Sequence, residues 1–312
     1  MKSIQERFKV SKVETGRFRF IGIDVQKVDD AIVINQDDYC QSIEQLNVPN
    51  TKENDKELDR EQYKQFRGAI GKLNWLQEGT RPDISFDTLM LSMKNKNATI
   101  GDAKKLNKII RKAKDGKYEV KFPKLGDLEE LKVAAFCDAS YRNVDDRIKS
   151  TEGRVIFITN GGKTSPLYWK ARKIPQVCDS VKTAETRSAD KITDDSIYFA
   201  RLICEIYKGK VSERQIPVEI FSDSKPLLTS LYSTRPVERK TVRHLVQGMK
   251  EALERGEVRN FVWVKSSEQL ADILTKESVA GEDLMTTIKE GNFPRKYEAN
   301  EEAKKWGKYA NL

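Results

Sequence analysis

Lys132-Val-Ala-Ala-Phe-Cys-Asp138 and Pro217-Val-Glu-Ile-Phe-Ser-Asp223 decide how this chain folds. Each is a short apolar run that ends on an aspartate, and each reads as a β-strand. If the two strands lie side by side and parallel, both aspartates emerge at one edge of the sheet. That edge is where open α/β sheets bind ligands.

Working outward, strands are predicted at 131–138, 153–160 and 165–171, with Asn160-Gly-Gly162 as the hairpin turn between the last two. A long helix is predicted over 181–208, followed by a strand at 217–223 and a short helix at 225–231. A helix at 238–255 carries the apolar stripe Val242, Leu245, Val246, Met249 and Leu253 and ends at Gly256. A strand at 257–264 and a final helix at 267–275 complete this half. Antiparallel strands followed by helix–strand alternation predict an α+β class, a mixed sheet with helices on its faces. Beyond it, 277–312 reads as a tail with one weak helix around Leu284, Met285 and Ile288.

The first half is organised differently. Arg17 to Val25 and Ala31 to Asn35 read as the two strands of a hairpin joined through Asp29-Asp30, and Gln36 to Leu46 as a helix. After a charged connector, Tyr63, Phe66, Ile70 and Leu73 recur at helical spacing over 60–77. Thr80-Arg-Pro-Asp83 stops that helix, and a third runs from Ile84 to Met93. A basic helix follows, with Ala103, Leu106, Ile109, Ile110 and Ala113 facing inward. Tyr118 to Phe122 reads as a short strand, and Leu125-Gly-Asp-Leu128 as a domain boundary.

The chain has 312 residues, enough for two domains, and a net charge of +9. Lys94 to Lys124 holds 11 Lys/Arg against 3 Asp/Glu, so almost the whole excess sits in one stretch. Such a stripe is the footprint of a polyanionic partner, or else a solvated helix face. Four scattered cysteines without CxxC spacing argue for reduced thiols in an intracellular, cytoplasmic setting. A single histidine, His244, excludes a histidine metal cage and a Ser-His-Asp triad. No apolar run approaches the roughly 18 residues of a membrane span, so no membrane partner is expected.

Asp138 and Asp223 have two companions, Glu185 near the front of the long helix and Asp272 early in the predicted last one. Like charges gathered at one point repel and raise one another's pKa values. Divalent cations remove that penalty, and magnesium favours such hard oxygen ligands. Two metals can generate a hydroxide nucleophile and stabilise a leaving oxygen, which is the chemistry of phosphodiester hydrolysis. Singly, each acid has a plainer reading. Asp138 and Asp223 can cap turns or helices, Glu185 can be an ordinary helix glutamate, and Asp272 can pair with Lys276 at i,i+4.

The order of these blocks resembles the C-terminal part of a copia-type LTR retrotransposon Pol polyprotein. Phe136-Cys-Asp138-Ala-Ser-Tyr141 is similar to the first strand of that family's ribonuclease H. Asp146-Arg-Ile-Lys-Ser-Thr-Glu-Gly-Arg154 and Tyr168-Trp-Lys-Ala-Arg-Lys173 resemble its next blocks. Ser180-Val-Lys-Thr-Ala-Glu185-Thr aligns the catalytic glutamate, Ser222-Asp223-Ser-Lys-Pro-Leu227 the second aspartate, and Glu268-Gln-Leu-Ala-Asp-Ile-Leu-Thr-Lys276 matches residue for residue. Phe18-Arg-Phe-Ile-Gly-Ile-Asp24, Gln36-Asp-Asp-Tyr39 and Phe66-Arg-Gly-Ala-Ile-Gly-Lys-Leu73 resemble the end of the reverse transcriptase. The resemblance therefore spans about residues 17–276. It divides the chain into 1–50 (end of palm and start of thumb), 51–126 (helical thumb or connection), 127–276 (ribonuclease H-like) and 277–312 (tail). No Tyr-x-Asp-Asp motif occurs, so no polymerase activity is expected of the chain alone.

The fold implied is a ribonuclease H-like mixed sheet flanked by helices, preceded by a smaller helical region with a β-hairpin. The activity implied is cleavage of the RNA strand of an RNA–DNA hybrid with two divalent cations, magnesium or manganese. Asp138, Glu185, Asp223 and Asp272 serve as both metal ligands and catalytic groups. Hybrids are read through phosphates, shape and 2′-hydroxyls. Lys104, Lys105, Lys108, Arg111, Lys112 and Lys114 on the basic helix are candidate phosphate contacts, with Lys149, Lys170, Arg172 and Lys173 closer to the acids. Trp169 and Trp263 read as core rather than base-stacking platforms, and His244 as partly exposed. Lys182, Arg187 and Lys225 bring unexpected cations near the acids, able to meet phosphates or displace metal. Further expected partners are the missing reverse transcriptase and integrase parts of Pol, within a virus-like particle where the element is active. The rival reading is an inactive nucleic-acid-binding remnant. A duplex-DNA nuclease such as an integrase is disfavoured by the Gln-Leu-Ala-Asp segment.

Overall fold

A computed structural model describes residues 13–49, 52–94, 97–144, 149–208, 216–235, 237, 239–277 and 281–297. Asp146, Arg147 and Ile148 of the motif quoted above lie outside them. At the centre runs β5 (Lys132–Val144), the longest strand. It pairs antiparallel with β6 (Lys149–Thr159), which pairs antiparallel with β7 (Thr164–Lys173). On its other side β5 pairs in parallel with β8 (Val218–Ser222), and β8 with β9 (Asn260–Trp263). The resulting order is β7-β6-β5-β8-β9.

The reason β5 reads as one unbroken apolar run is that both of its faces are covered. Alternation along a strand sends Val133, Ala135 and Cys137 to one cluster and Ala134 and Phe136 to the other. The first cluster lies under two helices, α5 (Val181–Lys208) and α7 (Lys240–Glu254), and includes Ala189, Ile192, Val246 and Met249. Between them a short α6 (Lys225–Tyr232) follows β8. Gly256 ends α7 with φ of 69°, a left-handed conformation that costs glycine little. The second cluster is closed by the tail. Its helix α8 (Glu282–Glu290) and the segment behind it supply Leu284, Ile288, Phe293 and Tyr297. Phe136 and Phe221 stack at 4.6 Å between centroids, and Tyr297 meets the Phe136 ring edge-on at 4.9 Å. The tail is thus part of this core rather than an appendage.

The first half forms a second sheet from β1 (Arg17–Phe20), β2 (Ile23–Val28), β3 (Ala31–Asn35) and β4 (Val120–Pro123). The apolar stretch read as one strand over 17–25 is two, because Ile21 and Gly22 both take positive φ and make a two-residue turn. β4 pairs with β3, so segments far apart in sequence share one sheet. Only Asp37–Gln41 of the helix expected over 36–46 forms (α1), followed by irregular chain that places Ile43 and Leu46 in the core. Helix α2 (Arg60–Gly79) starts at a capping box in which Asp59 accepts from Glu61 and Gln62 amides, and α4 (Ile100–Lys114) starts at one formed by Thr99 and Asp102. With α3 (Ser85–Ser92) they bury Phe66, Leu73, Leu106 and Ile110.

Thr80-Arg-Pro-Asp83, read as a helix stop, is also a buried clamp. Arg81 pairs with Asp83 at 2.7 Å and donates to the carbonyls of Lys112 and Ala113 at the end of α4. The two halves meet where Trp169 of β7 donates from Nε1 to the Gln77 carbonyl at 2.7 Å and Lys170 pairs with Glu78.

Candidate active site

Parallel pairing of β5 and β8 brings Phe136 opposite Phe221. Two residues further along each strand stand Asp138 and Asp223, so the register carries both acids to one sheet edge. The segment after β9 then returns to this edge. Its carboxylate, Asp272, completes a group of three whose oxygens all lie within 4.8 Å of one another.

The segment does not form the helix expected over 267–275. It makes two short 3₁₀ turns, Ser266–Glu268 and Asp272–Leu274. Leu270, Ala271, Ile273 and Leu274 are all buried, while Asp272 and Lys276 are partly exposed. Gln269 anchors the segment, donating from Nε2 to the Cys137 carbonyl at 3.0 Å and accepting from the Ala271 amide. Gly153, paired with Asp138 across the β5–β6 ladder, makes room for it. A Cβ there would stand 2.8 Å from the Ala271 carbonyl oxygen and 2.8 Å from Leu274 Cβ.

Asp138 is 2% exposed and accepts from the Thr275 hydroxyl. Burial pushes its carboxyl up to about 6; Lys276 opposes that shift, while Asp272 and Asp223 add to it. Asp272 is also raised by burial, despite an ion pair with Lys276 Nζ at 2.8 Å. Asp223 accepts from the Ser266 hydroxyl at 2.6 Å, and its carbonyl accepts from Trp263 Nε1 at 3.1 Å. Glu185, in the first turns of α5, sits beside them although it is not one of the three. Burial holds its carboxyl well above the usual range, and the Asp138 and Asp223 charges raise it further. Its Oε2 is buried and, among the described residues, has no hydrogen-bond partner. An orphaned carboxylate oxygen beside three crowded acids is what a divalent cation would satisfy, so this donor set fits the expected metals.

Beside the acids, and lined by none of them, lies a cleft of about 790 Å³ that Thr275 and Lys276 reach. One wall carries Ser140, Asn143, Thr275 and Lys276, the other Lys105, Lys108 and Lys112 of the basic helix. Lys105, Lys108 and Arg111 are exposed, whereas Lys104 bonds Asn54 at 3.0 Å, Lys112 bonds the Asp83 carbonyl at 2.9 Å and pairs with Asp87 at 3.6 Å, and Lys114 bonds the Gln41 carbonyl at 2.9 Å. The other candidates lie elsewhere: Lys149 donates to the Pro175 carbonyl, Lys170 pairs with Glu78, Arg172 is exposed and Lys173 half-buried. Trp169 and Trp263 are half-buried against the clusters, and His244 is exposed. Of the three cations expected near the acids, Lys225 instead lies over the Trp263 ring at 4.6 Å. The cation that meets the acids is Lys276. Its pairing with Asp272 was legible as i,i+4 spacing, but its approach to Asp138, at 3.6 Å, was not. Gln269, Thr275, Ser266 and Gly153 were also unmarked as site-builders, and only the glycine inside an apolar strand signals one.

The fold is ribonuclease H-like. By sequence the chain is similar to the C-terminal part of a copia-type Pol polyprotein. No protein-family model matches the chain. It is 23% identical over 181 residues to an uncharacterized mitochondrial protein, AtMg00810, of Arabidopsis thaliana, a match covering 54% of this chain and 72% of that one. Among solved structures, the N-terminal RNase H domain of Rv2228c from Mycobacterium tuberculosis is 16% identical with a TM-score of 0.34, covering 50% of this chain and 97% of that one. A foamy viral protease–reverse transcriptase in complex with RNA/DNA hybrid is 15% identical with a TM-score of 0.43, covering 85% of this chain and 31% of that one. Ribonuclease H-like topology here rests on the strand order and on the acids it gathers.

Proposed function

We propose that this chain is a ribonuclease H-type endonuclease that cleaves the RNA strand of RNA–DNA hybrids with two divalent cations. The observation that carries it is the convergence of Asp138, Asp223 and Asp272 within 4.8 Å beside the unpartnered Glu185 oxygen. Magnesium or manganese, when bound, would supply an activated water and charge stabilisation at the leaving oxygen. Asp138, Asp223, Asp272 and Glu185 hold those ions. Ser266 and Thr275 orient the Asp223 and Asp138 carboxylates. Gln269 holds the turn that carries Asp272 against β5. Lys105 and Lys108 offer phosphate contacts along the cleft that Thr275 and Lys276 also line.

The test is cleavage of a labelled RNA–DNA hybrid in magnesium. Asp138→Asn abolishes cut RNA while leaving hybrid binding, and retained cleavage would refute the assignment. A non-catalytic nucleic-acid-binding remnant is the second reading. It is favoured by one observation, the Lys276 ammonium standing 2.8 Å from Asp272 and 3.6 Å from Asp138, where it competes with any cation for those oxygens. Hybrid binding without magnesium-dependent cleavage in the unaltered chain would select it.

A further inference from the structure

We propose that the Lys276 ammonium is an internal counter-ion of the acid site and a competitor for one of its two cation positions. This inference rests on the metal-dependent reading above. Acids as buried as Asp138 and Glu185, at 2% and 6% exposure, are costly to hold together as anions without a cation. Lys276 reaches two of the three clustered acids, at 2.8 Å from Asp272 Oδ1 and 3.6 Å from Asp138 Oδ2. Its stem is rooted beside Thr275, whose hydroxyl donates to the same Asp138 oxygen.

The other two acids differ in their direct partners. Among the described residues the Asp223 carboxylate accepts a neutral hydroxyl, from Ser266, and has no ion pair, and Glu185 Oε2 takes no partner. The two pairs of acids are therefore unequal. A cation held by Asp223 and Glu185 would displace no ion pair of theirs, whereas one held by Asp272 and Asp138 would have to evict the ammonium. Lys276 has somewhere to go, because its side chain is 40% exposed and already borders the cleft faced by Lys105, Lys108 and Lys112. There it would meet a nucleic-acid phosphate, so substrate and the second cation would favour each other's binding.

Manganese titration of the purified chain, read from the electron paramagnetic resonance signal of free Mn²⁺, tests this directly. The unaltered chain is expected to show one tighter and one weaker site. Lys276→Met is expected to tighten the weaker one about tenfold, the equivalent of about 1.4 kcal/mol. Lys276→Gln, which keeps a polar group for Asp272, serves as the second variant and should shift in the same direction. In chelator, both variants should melt below the unaltered chain, and manganese should close the gap. Unchanged or weaker manganese affinity in both variants, or unchanged melting in chelator, would overturn the role of Lys276. If neither the unaltered chain nor Lys276→Met binds manganese more tightly than Asp223→Asn, the metal reading itself fails, and the competition with it.

Discussion

Gly153→Ala probes the packing that builds the site, without touching any ionisable group. The added methyl would meet the Ala271 carbonyl oxygen at 2.8 Å, Leu274 Cβ at 2.8 Å and Thr275 Cγ2 at 2.9 Å. None is the far end of a flexible side chain, and Leu274 and Thr275 are fully buried, so the 270–275 segment has to move away from β6. Overpacking of this kind costs about 1–3 kcal/mol. The displaced segment carries Asp272 and the Thr275 hydroxyl that holds Asp138, so the loss should not be confined to stability. Urea unfolding should show a lowered midpoint and an unfolding free energy reduced by that amount, and hybrid cleavage in saturating magnesium should fall at least ~10-fold, because misplacements of about 1 Å cost up to ~100-fold. Gly248→Ala is the control. Nothing lies within 4 Å of its new methyl on α7, and alanine in a helix is favoured by about 0.8–1 kcal/mol. A Gly153→Ala protein with unaltered midpoint and cleavage would show that the turn does not seat on β6 as described.

Three further outcomes are expected. In chelator the folded Asp138 carboxyl, at about 6, holds its proton more tightly than an unfolded aspartate near 4, so the folded state binds more protons between those values. Stability should therefore rise as pH falls through about 6 and be lost as pH rises, with Glu185 and Asp272 acting in the same direction and magnesium flattening the profile; a flat urea-midpoint profile in chelator would count against it. A chain ending at Lys276 loses Leu284, Ile288, Phe293 and Tyr297 from the second cluster, each worth about 1.5–3 kcal/mol when buried, a sum comparable with the whole stability of a domain. It should be unfolded or aggregated by circular dichroism and light scattering, and a cooperative melt at the full-length temperature would refute the role given to the tail. Lys105→Glu with Lys108→Glu should weaken hybrid binding uniformly across sequences and lower its salt slope by about 2, whereas an unchanged slope in fluorescence anisotropy would remove the basic helix from the interface.

Much of this was legible along the chain because the decisive signals are local. The runs ending at Asp138 and Asp223 are apolar on both faces, and that alone marks them as strands of a covered sheet. The stripe through Val242, Val246 and Met249 and the stop at Gly256 define α7 in the same way. Where a second face of the chain is buried by distant residues, periodicity misleads. Ile43 and Leu46 look helical but lie on irregular chain packed in the cluster of α2 and α4. Leu270 to Leu274 buries its four apolar side chains against distant residues and folds into a 3₁₀ turn at Asp272–Leu274.

The sequence by itself determined which residues bring charge to this protein: Asp138, Glu185, Asp223, Asp272 and a basic helix, each marked by its local setting. Only the tertiary structure decided how those charges meet. Strand register set Asp138 against Asp223, the missing side chain at Gly153 let the last turn close, and that turn delivered Lys276 to two acids at once. The physical reason is range. A propensity or an apolar period is set by neighbours a few residues away, whereas the energy of a charge depends on whatever the fold brings within a few ångströms.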